Sequence, residues 1–154
     1  MLAAALALGV AISAGAQGTA PLSYVAHTLD GAEMMIGAGQ APVVVAVFAT
    51  WCTTCKTEFG VLDSLQRALA PRGIRVLALS VDQADDAHVR KYIEARRAHV
   101  PVARDATGAV GKTFGTVGVP EAYLVDGSGL VRWRGRGEFR AGLVSLRQAL
   151  GALR

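Results

Sequence analysis

An uninterrupted apolar run from Val43 to Phe48 does most to limit the folds open to this chain. A strand exposed on one face alternates apolar and polar residues, whereas an unbroken apolar run indicates a strand buried on both faces. Such strands occur where other elements cover both sides of a sheet. Beyond Cys52 the spacing becomes helical, with apolar residues at Phe59, Leu62, Leu65 and Leu69. We therefore predict an α/β domain whose central strand passes into a helix just after Cys52.

The remaining elements predict a mixed sheet with helices on both faces and a β-hairpin in front. Asp30-Gly31 is a hairpin turn signal between two short segments within 24–36. The later pattern predicts a strand over 74–81, helices over 85–97 and 107–114, a hairpin of strands 122–125 and 130–134, and a last helix with a leucine stripe. Parallel strands joined by helices thus come first, and an antiparallel hairpin with a covering helix comes last.

The first residues resemble an export signal. Residues 1–18 carry no charge, and Ala14-Gly15-Ala16 is a small-x-small cleavage pattern. No Lys or Arg precedes the apolar stretch, so a retained anchor, or a true start upstream of Met1, stays an alternative to a cleaved signal. We predict a signal peptide or N-terminal anchor over 1–16, a linker over 17–22 and one domain over 23–154.

Composition limits the class of protein. Of the 154 residues, 52% are apolar and 18% are charged, which excludes a disordered chain. The net charge of +4 is a mild excess, and we predict no nucleic-acid partner. Both cysteines of the chain, Cys52 and Cys55, lie in one short segment. An exported protein stapled by disulfides would distribute its cysteines, so this pair favours chemistry.

A Cys-x-x-Cys pair at a strand-to-helix junction suits thiol–disulfide exchange. Unpaired N–H groups at a helix N-terminus stabilise an anion and lower the pKa of a thiol. Cys52 would then be the nucleophile, and Cys55, one turn later, would attack the mixed disulfide and release the product. Zinc is an alternative, but His27, His88 and His99 are scattered. A purely structural disulfide would close a loop too short to stabilise the fold much.

Two separated motifs resemble those of thioredoxin-like exported thiol–disulfide oxidoreductases of the TlpA/ResA/DsbE branch. The first is Val47-Phe48-Ala49-Thr50-Trp51-Cys52-Thr53-Thr54-Cys55-Lys56-Thr57-Glu58. The second is Val117-Gly118-Val119-Pro120-Glu121-Ala122-Tyr123-Leu124-Val125-Asp126. The resemblance covers about Tyr24 to Leu153 and implies a thioredoxin-like fold with a redox-active Cys52–Cys55 disulfide and no other cofactor or metal.

The resemblance also implies roles for residues around the cysteines. Pro120 is expected to follow a cis peptide bond and to leave the backbone of Val119 free for an extended substrate. Trp51 is either a core aromatic or a platform beside the sulfur. Glu58 is a candidate for moving the proton of the resolving thiol, because Ala46 stands where ordinary thioredoxins have a buried Asp. The alternative for Glu58 is a solvated helix carboxylate.

Three positions depart from the family pattern. Thr54 and Gly60 replace the usual prolines, and Val119 replaces a frequent Thr. None of these changes removes a reacting group. Thr54 is expected to alter the redox potential, because it lies between the two cysteines.

The implied function is reduction of protein disulfides outside the cytoplasm by a monomer. A membrane partner would resupply electrons, and the resemblance suggests cytochrome c maturation or a similar thiol-reducing task. A thiol peroxidase is the second hypothesis, although Ala49 and Val45 stand where the peroxidase loop has Thr and Pro. A redox-inactive binding module is the third. Arg132, Arg134 and Arg136 alternate along one strand and predict a solvated edge, with docking of an acidic partner as the alternative.

Overall fold

The computed structural model describes residues 20–153, which form two β-sheets and the helices around them. The strands are β1 (Ser23–His27), β2 (Glu33–Gly37), β3 (Val43–Phe48), β4 (Arg75–Ser80), β5 (Val102–Arg104), β6 (Glu121–Val125) and β7 (Val131–Arg136). The α-helices are α1 (Phe59–Leu69), α2 (Asp86–Glu94), α3 (Ala109–Phe114) and α4 (Phe139–Gly151). The predicted signal or anchor, residues 1–16, lies outside the described residues. Across residues 20–153, no helix combines the length and hydropathy of a membrane span.

The main sheet has the strand order β5-β4-β3-β6-β7, with β3 at its centre. β3 runs parallel to β4 and antiparallel to β6, and every residue of β3 is buried. Phe48 pairs with Ser80 and Val47 pairs with Glu121. This register brings the carboxyl ends of β3 and β4 beside the first residue of β6. The segment after Phe48, the segment after Ser80 and the turn before Glu121 therefore meet at one edge.

The predicted N-terminal hairpin is confirmed as a separate antiparallel sheet of β1 and β2. Its turn needs a left-handed residue, and Gly31 supplies it with φ +90°. Thr28 bridges to Ala103 of β5, and the Leu22 N–H donates to the Gly129 carbonyl at 2.9 Å. The hairpin is thus tied to the main sheet at both of its ends.

Alternate residues of β3 face two separate apolar cores. Val44, Ala46 and Phe48 pack in the core that holds α1, α2 and α4. Val43, Val45 and Val47 pack in the other core, which holds α3 and the hairpin. The sheet is therefore covered on both faces, which confirms the predicted thioredoxin-like architecture and explains why β3 carries no polar residue.

Three differences from the predicted elements exceed two residues. β5 was not predicted, because a strand of 3 residues leaves no periodicity to detect. The helix expected directly after Cys52 is instead a 3-10 turn over Thr54–Thr57, and the α-helix begins only at Phe59. β-branched threonines disfavour an α-helix there. α2 ends at Glu94 rather than at 97, and Arg97 has a positive φ of 51°.

A glycine in α4 has a packing role that makes a stability prediction. A Cβ on Gly142 would lie 2.7 Å from Cζ2 of Trp133. The indole cannot retreat easily, because its Nε1 donates to Ser145 and its ring packs edge-on against Phe139. Gly142→Ala is therefore expected to destabilise the protein by about 1–3 kcal/mol despite the better helix propensity of Ala.

Gly60 in α1 is the matched control for that prediction. A Cβ there meets no atom within 4 Å, so Gly60→Ala should be neutral or stabilising by up to about 1 kcal/mol. Urea denaturation of both variants measures the difference. Equal effects of the two substitutions would contradict the proposed contact with Trp133.

Candidate active site

The two cysteines lie in the loop between β3 and α1 and form a disulfide. Cys52 has 7% of its surface exposed and Cys55 has none, so only Cys52 can be reached from solution. The Cys52 N–H donates to the Ala49 carbonyl at 3.1 Å, which turns the chain back at the end of the strand. The assignment of Cys52 as the nucleophile and Cys55 as the resolving residue stays a prediction, which this difference in exposure favours.

One backbone N–H takes the place of the expected helix N-terminus at the nucleophile. The Cys55 N–H donates to the Cys52 sulfur at 3.2 Å. A donor in this position stabilises a thiolate, as an exposed N–H at a helix N-terminus would. The prediction that an α-helix begins at Cys52 is wrong, but the 3-10 turn keeps an N–H group directed at the sulfur.

Trp51 lies on the surface, with 69% of its side chain area exposed, which excludes a core role. It lines an open cavity of about 310 Å³ whose other walls include Val81, Val117 and Val119. It also lines a second open cavity, of about 510 Å³, together with Thr50, His88, Lys91, Tyr92 and Ala95. The indole therefore stands between two surface depressions next to the nucleophile.

The turn before β6 brings Val119 to the redox pair. The Val119–Pro120 peptide bond is cis, the isomer that the sequence resemblance implies. Val119 packs against the apolar cluster that contains Cys52 and Cys55. Within residues 20–153, neither the N–H nor the carbonyl of Val119 takes part in a backbone–backbone hydrogen bond. Both groups are thus free to pair with an extended chain.

A buried polar network behind this turn was not predicted from the sequence. The Tyr123 hydroxyl donates to Glu121 Oε2 at 2.5 Å and lies 2.8 Å from Thr116 Oγ1, so Thr116 is the donor in that second bond. Arg136 Nε donates to the other oxygen of Glu121 at 2.9 Å. Burial, followed by the bond to Glu121, raises the pKa of Tyr123 to about 12. The network links both ends of the segment that carries Val119.

The predicted solvated arginine edge is confirmed for Arg132 and Arg136, which are exposed on the edge strand β7. Each arginine of β7 also has a partner within the described chain. Arg132 pairs with Asp126 and Arg136 pairs with Glu121. Arg134 donates to the Phe114 carbonyl and lies over the Tyr123 ring, 4.9 Å from its centroid.

Glu58 is buried, with only 5% of its surface exposed, so it is not a solvated helix carboxylate. Its Oε1 accepts a hydrogen bond from the Phe139 N–H at 2.5 Å, and its own N–H donates to the Cys55 carbonyl at 3.3 Å. Burial raises the pKa of Glu58, the bond from Phe139 opposes this rise, and the charge of Glu138 adds to it. Glu58 thus combines a carboxyl of raised pKa with a backbone bond to Cys55, and perturbed carboxyls of this kind are candidates for proton transfer.

The structure adds Asp82 to the site. It follows β4, is 2% exposed, and accepts hydrogen bonds from Thr50, two residues before Cys52. The sequence contains one signal that could have found it, because Asp82 is an acidic residue at the carboxyl end of a buried strand. Among residues 20–153, no group of three or more His, Cys, Asp and Glu side chains is placed to hold a metal ion.

The sheet order, the cis turn and the cysteine pair at the end of the central strand together define a thioredoxin-like fold with a disulfide between Cys52 and Cys55. Residues 26–134 match the AhpC/TSA family, and the chain belongs to that family.

Curated relatives are named for thiol–disulfide chemistry. The chain is 33% identical over 117 residues to the thiol:disulfide interchange protein DsbE of Yersinia pestis, covering 76% of this chain and 58% of that protein. It is 30% identical over 96 residues to the thiol-disulfide oxidoreductase ResA of Bacillus thuringiensis subsp. konkukian, covering 62% and 55%. The chain thus spans little more than half the length of these relatives.

Solved structures support the fold assignment. The chain superposes on a putative thiol:disulfide interchange protein DsbE from Chlorobium tepidum with a TM-score of 0.72 and 22% identity. The match covers 84% of this chain and 92% of that one. A likeness at this identity establishes the architecture.

Proposed function

We propose that the protein is a thiol–disulfide oxidoreductase that reduces disulfides of other proteins through Cys52 and Cys55. One observation carries the proposal. Cys52, the more exposed partner of the disulfide, has 7% of its surface exposed and lies beside the turn that carries Val119. The backbone N–H and carbonyl of Val119 form no backbone hydrogen bond within residues 20–153. An extended substrate can pair with Val119 while its own sulfur approaches Cys52.

The reaction needs two exchanges. The Cys52 thiolate attacks one sulfur of a substrate disulfide, a Cys52–substrate disulfide forms, and the other substrate sulfur leaves as a thiolate. The Cys55 thiol then loses its proton and attacks the Cys52 sulfur, which reforms the Cys52–Cys55 disulfide and releases the second substrate thiol. The substrate gains two electrons and two protons, and the enzyme loses them.

Glu58 is the proposed acceptor of the proton from Cys55. Its carboxylate is held at the Phe139 N–H, and its backbone bonds the Cys55 carbonyl. A pKa raised by burial brings a carboxyl closer to the range in which it can take up and return a proton near neutral pH.

We infer the setting of this activity from the sequence and the relatives. The signal-like residues 1–16 support a location outside the cytoplasm, either released or anchored. The names DsbE and ResA denote interchange and oxidoreductase functions in the relatives. For this chain we propose a monomer that acts on protein substrates and receives its electrons from a membrane partner. The proposed pathway is cytochrome c maturation.

Reduction of insulin by the purified protein tests the proposal. With dithiothreitol as the electron source, we expect insulin to precipitate several-fold faster than with dithiothreitol alone, and we expect peroxide consumption at background level. Ala49, fully buried at the position of the peroxidase threonine, has no hydroxyl to orient a peroxide. Rapid peroxide consumption without insulin reduction would instead indicate a thiol peroxidase. The absence of both activities would indicate a binding module.

A further inference from the structure

Asp82 is a buried carboxylate surrounded by hydrogen-bond donors. Its Oδ2 lies 2.9 Å from the Thr50 nitrogen and 2.6 Å from Ser80 Oγ. Its Oδ1 lies 2.5 Å from Thr50 Oγ1. All of these groups can donate, which is what an ionised carboxylate requires because it can only accept. None of the ion pairs within residues 20–153 includes Asp82, so neutral donors alone stabilise its charge.

The direction of these bonds extends the cluster to α2. The hydrogen of the Thr50 hydroxyl is directed at Asp82, so the Thr50 oxygen acts as an acceptor toward His88. His88 Nε2 lies 3.0 Å from that oxygen and must therefore carry a proton. The bonds form a chain from His88 on α2, through Thr50 in the active-site loop, to Asp82 after β4.

Thr50 links this chain to the reaction centre. Both its N–H and its hydroxyl are held by Asp82, and the following residues are Trp51 and the nucleophile Cys52. We propose that Asp82 is a positioning residue for the redox pair. It fixes Thr50, two residues before Cys52, and holds a negative charge at this loop. That charge favours the disulfide over the dithiol. This inference rests on the proposed function, since it concerns the same disulfide.

The sign of the effect follows from electrostatics. A nearby negative charge disfavours a thiolate and raises the pKa of the thiol. The dithiol is then stabilised less by ionisation, and the equilibrium moves toward the disulfide. Asp82 thus makes the protein a stronger reductant than the same loop without this charge.

Asp82→Asn removes the charge and keeps the shape. The amide oxygen can still accept from Thr50, and the amide nitrogen can donate to Ser80 Oγ. In equilibrium with glutathione, we expect the dithiol to be favoured by about threefold to tenfold over wild type, the upper limit corresponding to about 30 mV. The Cys52 thiol of this variant should also ionise at a lower pH than that of wild type, which the pH dependence of its alkylation rate measures.

Two further variants keep the test decisive. Ser80→Ala removes one hydrogen-bond donor to Asp82 and leaves the negative charge of Asp82 less compensated. The dithiol–disulfide equilibrium with glutathione should therefore shift about twofold toward the disulfide. Asp126→Asn is the control, because Asp126 accepts comparable bonds from Ser128 and Leu130 at the opposite end of β6. It should lower stability and leave the equilibrium constant unchanged.

An unchanged equilibrium constant and alkylation profile in Asp82→Asn would overturn the inference. If Asp82→Asn does not fold, an unchanged constant in Ser80→Ala would overturn it instead. The glutathione equilibrium needs no protein substrate, so it can fail while insulin reduction by the wild type succeeds. Conversely, a wild type that equilibrates with glutathione but does not reduce insulin would contradict the proposed function alone.

Discussion

Cys52→Ser is expected to slow insulin reduction to the rate seen with dithiothreitol alone. Cys55→Ser is expected to trap a covalent complex with substrate. The two outcomes differ because the sulfurs differ in access. Cys52 is the partly exposed sulfur residue, and Cys55 has no exposed surface. Without Cys52 no mixed disulfide forms, whereas without Cys55 the mixed disulfide forms and cannot be resolved.

Non-reducing electrophoresis and intact mass measure the trapped species. With a model disulfide peptide, Cys55→Ser should gain the mass of one peptide half, and dithiothreitol should remove it. Thr53→Ala is the matched control, because Thr53 is exposed between the two cysteines and carries no sulfur. It should retain turnover. A Cys52→Ser protein that reduces insulin normally would contradict the assigned nucleophile.

The sequence allowed the main sheet to be predicted because its strands carry strong and unambiguous patterns. The apolar run of β3 has no helical alternative of that length, and the Asp30-Gly31 turn defines the hairpin. β5 could not be predicted, since its 3 residues contact β4 and the hairpin and have no periodicity of their own. The start of α1 at Phe59 depends on the local geometry of the Cys52–Cys55 loop, which spacing alone does not determine.

The site could be predicted where its residues are close together in the sequence, and less so where the interacting residues are far apart in the sequence. Cys52, Cys55 and the Val119–Pro120 turn lie in two compact motifs. The buried carboxylate of Glu58 is instead bonded by the first N–H group of α4, at Phe139, 81 positions later. Asp82 acts through Thr50, 32 positions earlier. Such contacts depend on how elements pack, and no spacing rule in one sequence specifies them.

Glu58→Gln is expected to slow the resolution of the mixed disulfide by about 100-fold and at the same time to stabilise the protein at neutral pH. The kinetic effect follows because Gln cannot accept the proton of Cys55, and positioned general bases contribute at least about 10²-fold. Stopped-flow measurement of product release, after mixing the dithiol form with a disulfide peptide, separates this step from the first exchange.

The stability effect follows from the pKa of Glu58. Burial raises this pKa above its ordinary value of 4.5, so the folded state binds the proton more tightly than the unfolded state does. Stability contributed by Glu58 is therefore present at low pH and is lost as the pH rises from 4.5 through the raised pKa. Gln keeps an oxygen for the Phe139 N–H and carries no charge. The melting temperature of Glu58→Gln should exceed that of wild type near pH 7 and converge with it in acid.

Glu138→Gln separates proton transfer from local charge. Glu138 is exposed and directly precedes Phe139. Its negative charge contributes to raising the pKa of Glu58. Within residues 20–153, the Glu138 side chain forms no hydrogen bond with either cysteine. Its replacement should leave the resolution rate within about twofold, since the carboxylate of Glu58 remains. If Glu58→Gln resolved the mixed disulfide at the wild-type rate while gaining stability, Glu58 would be a buried structural carboxylate, and the proton of Cys55 would leave directly to water.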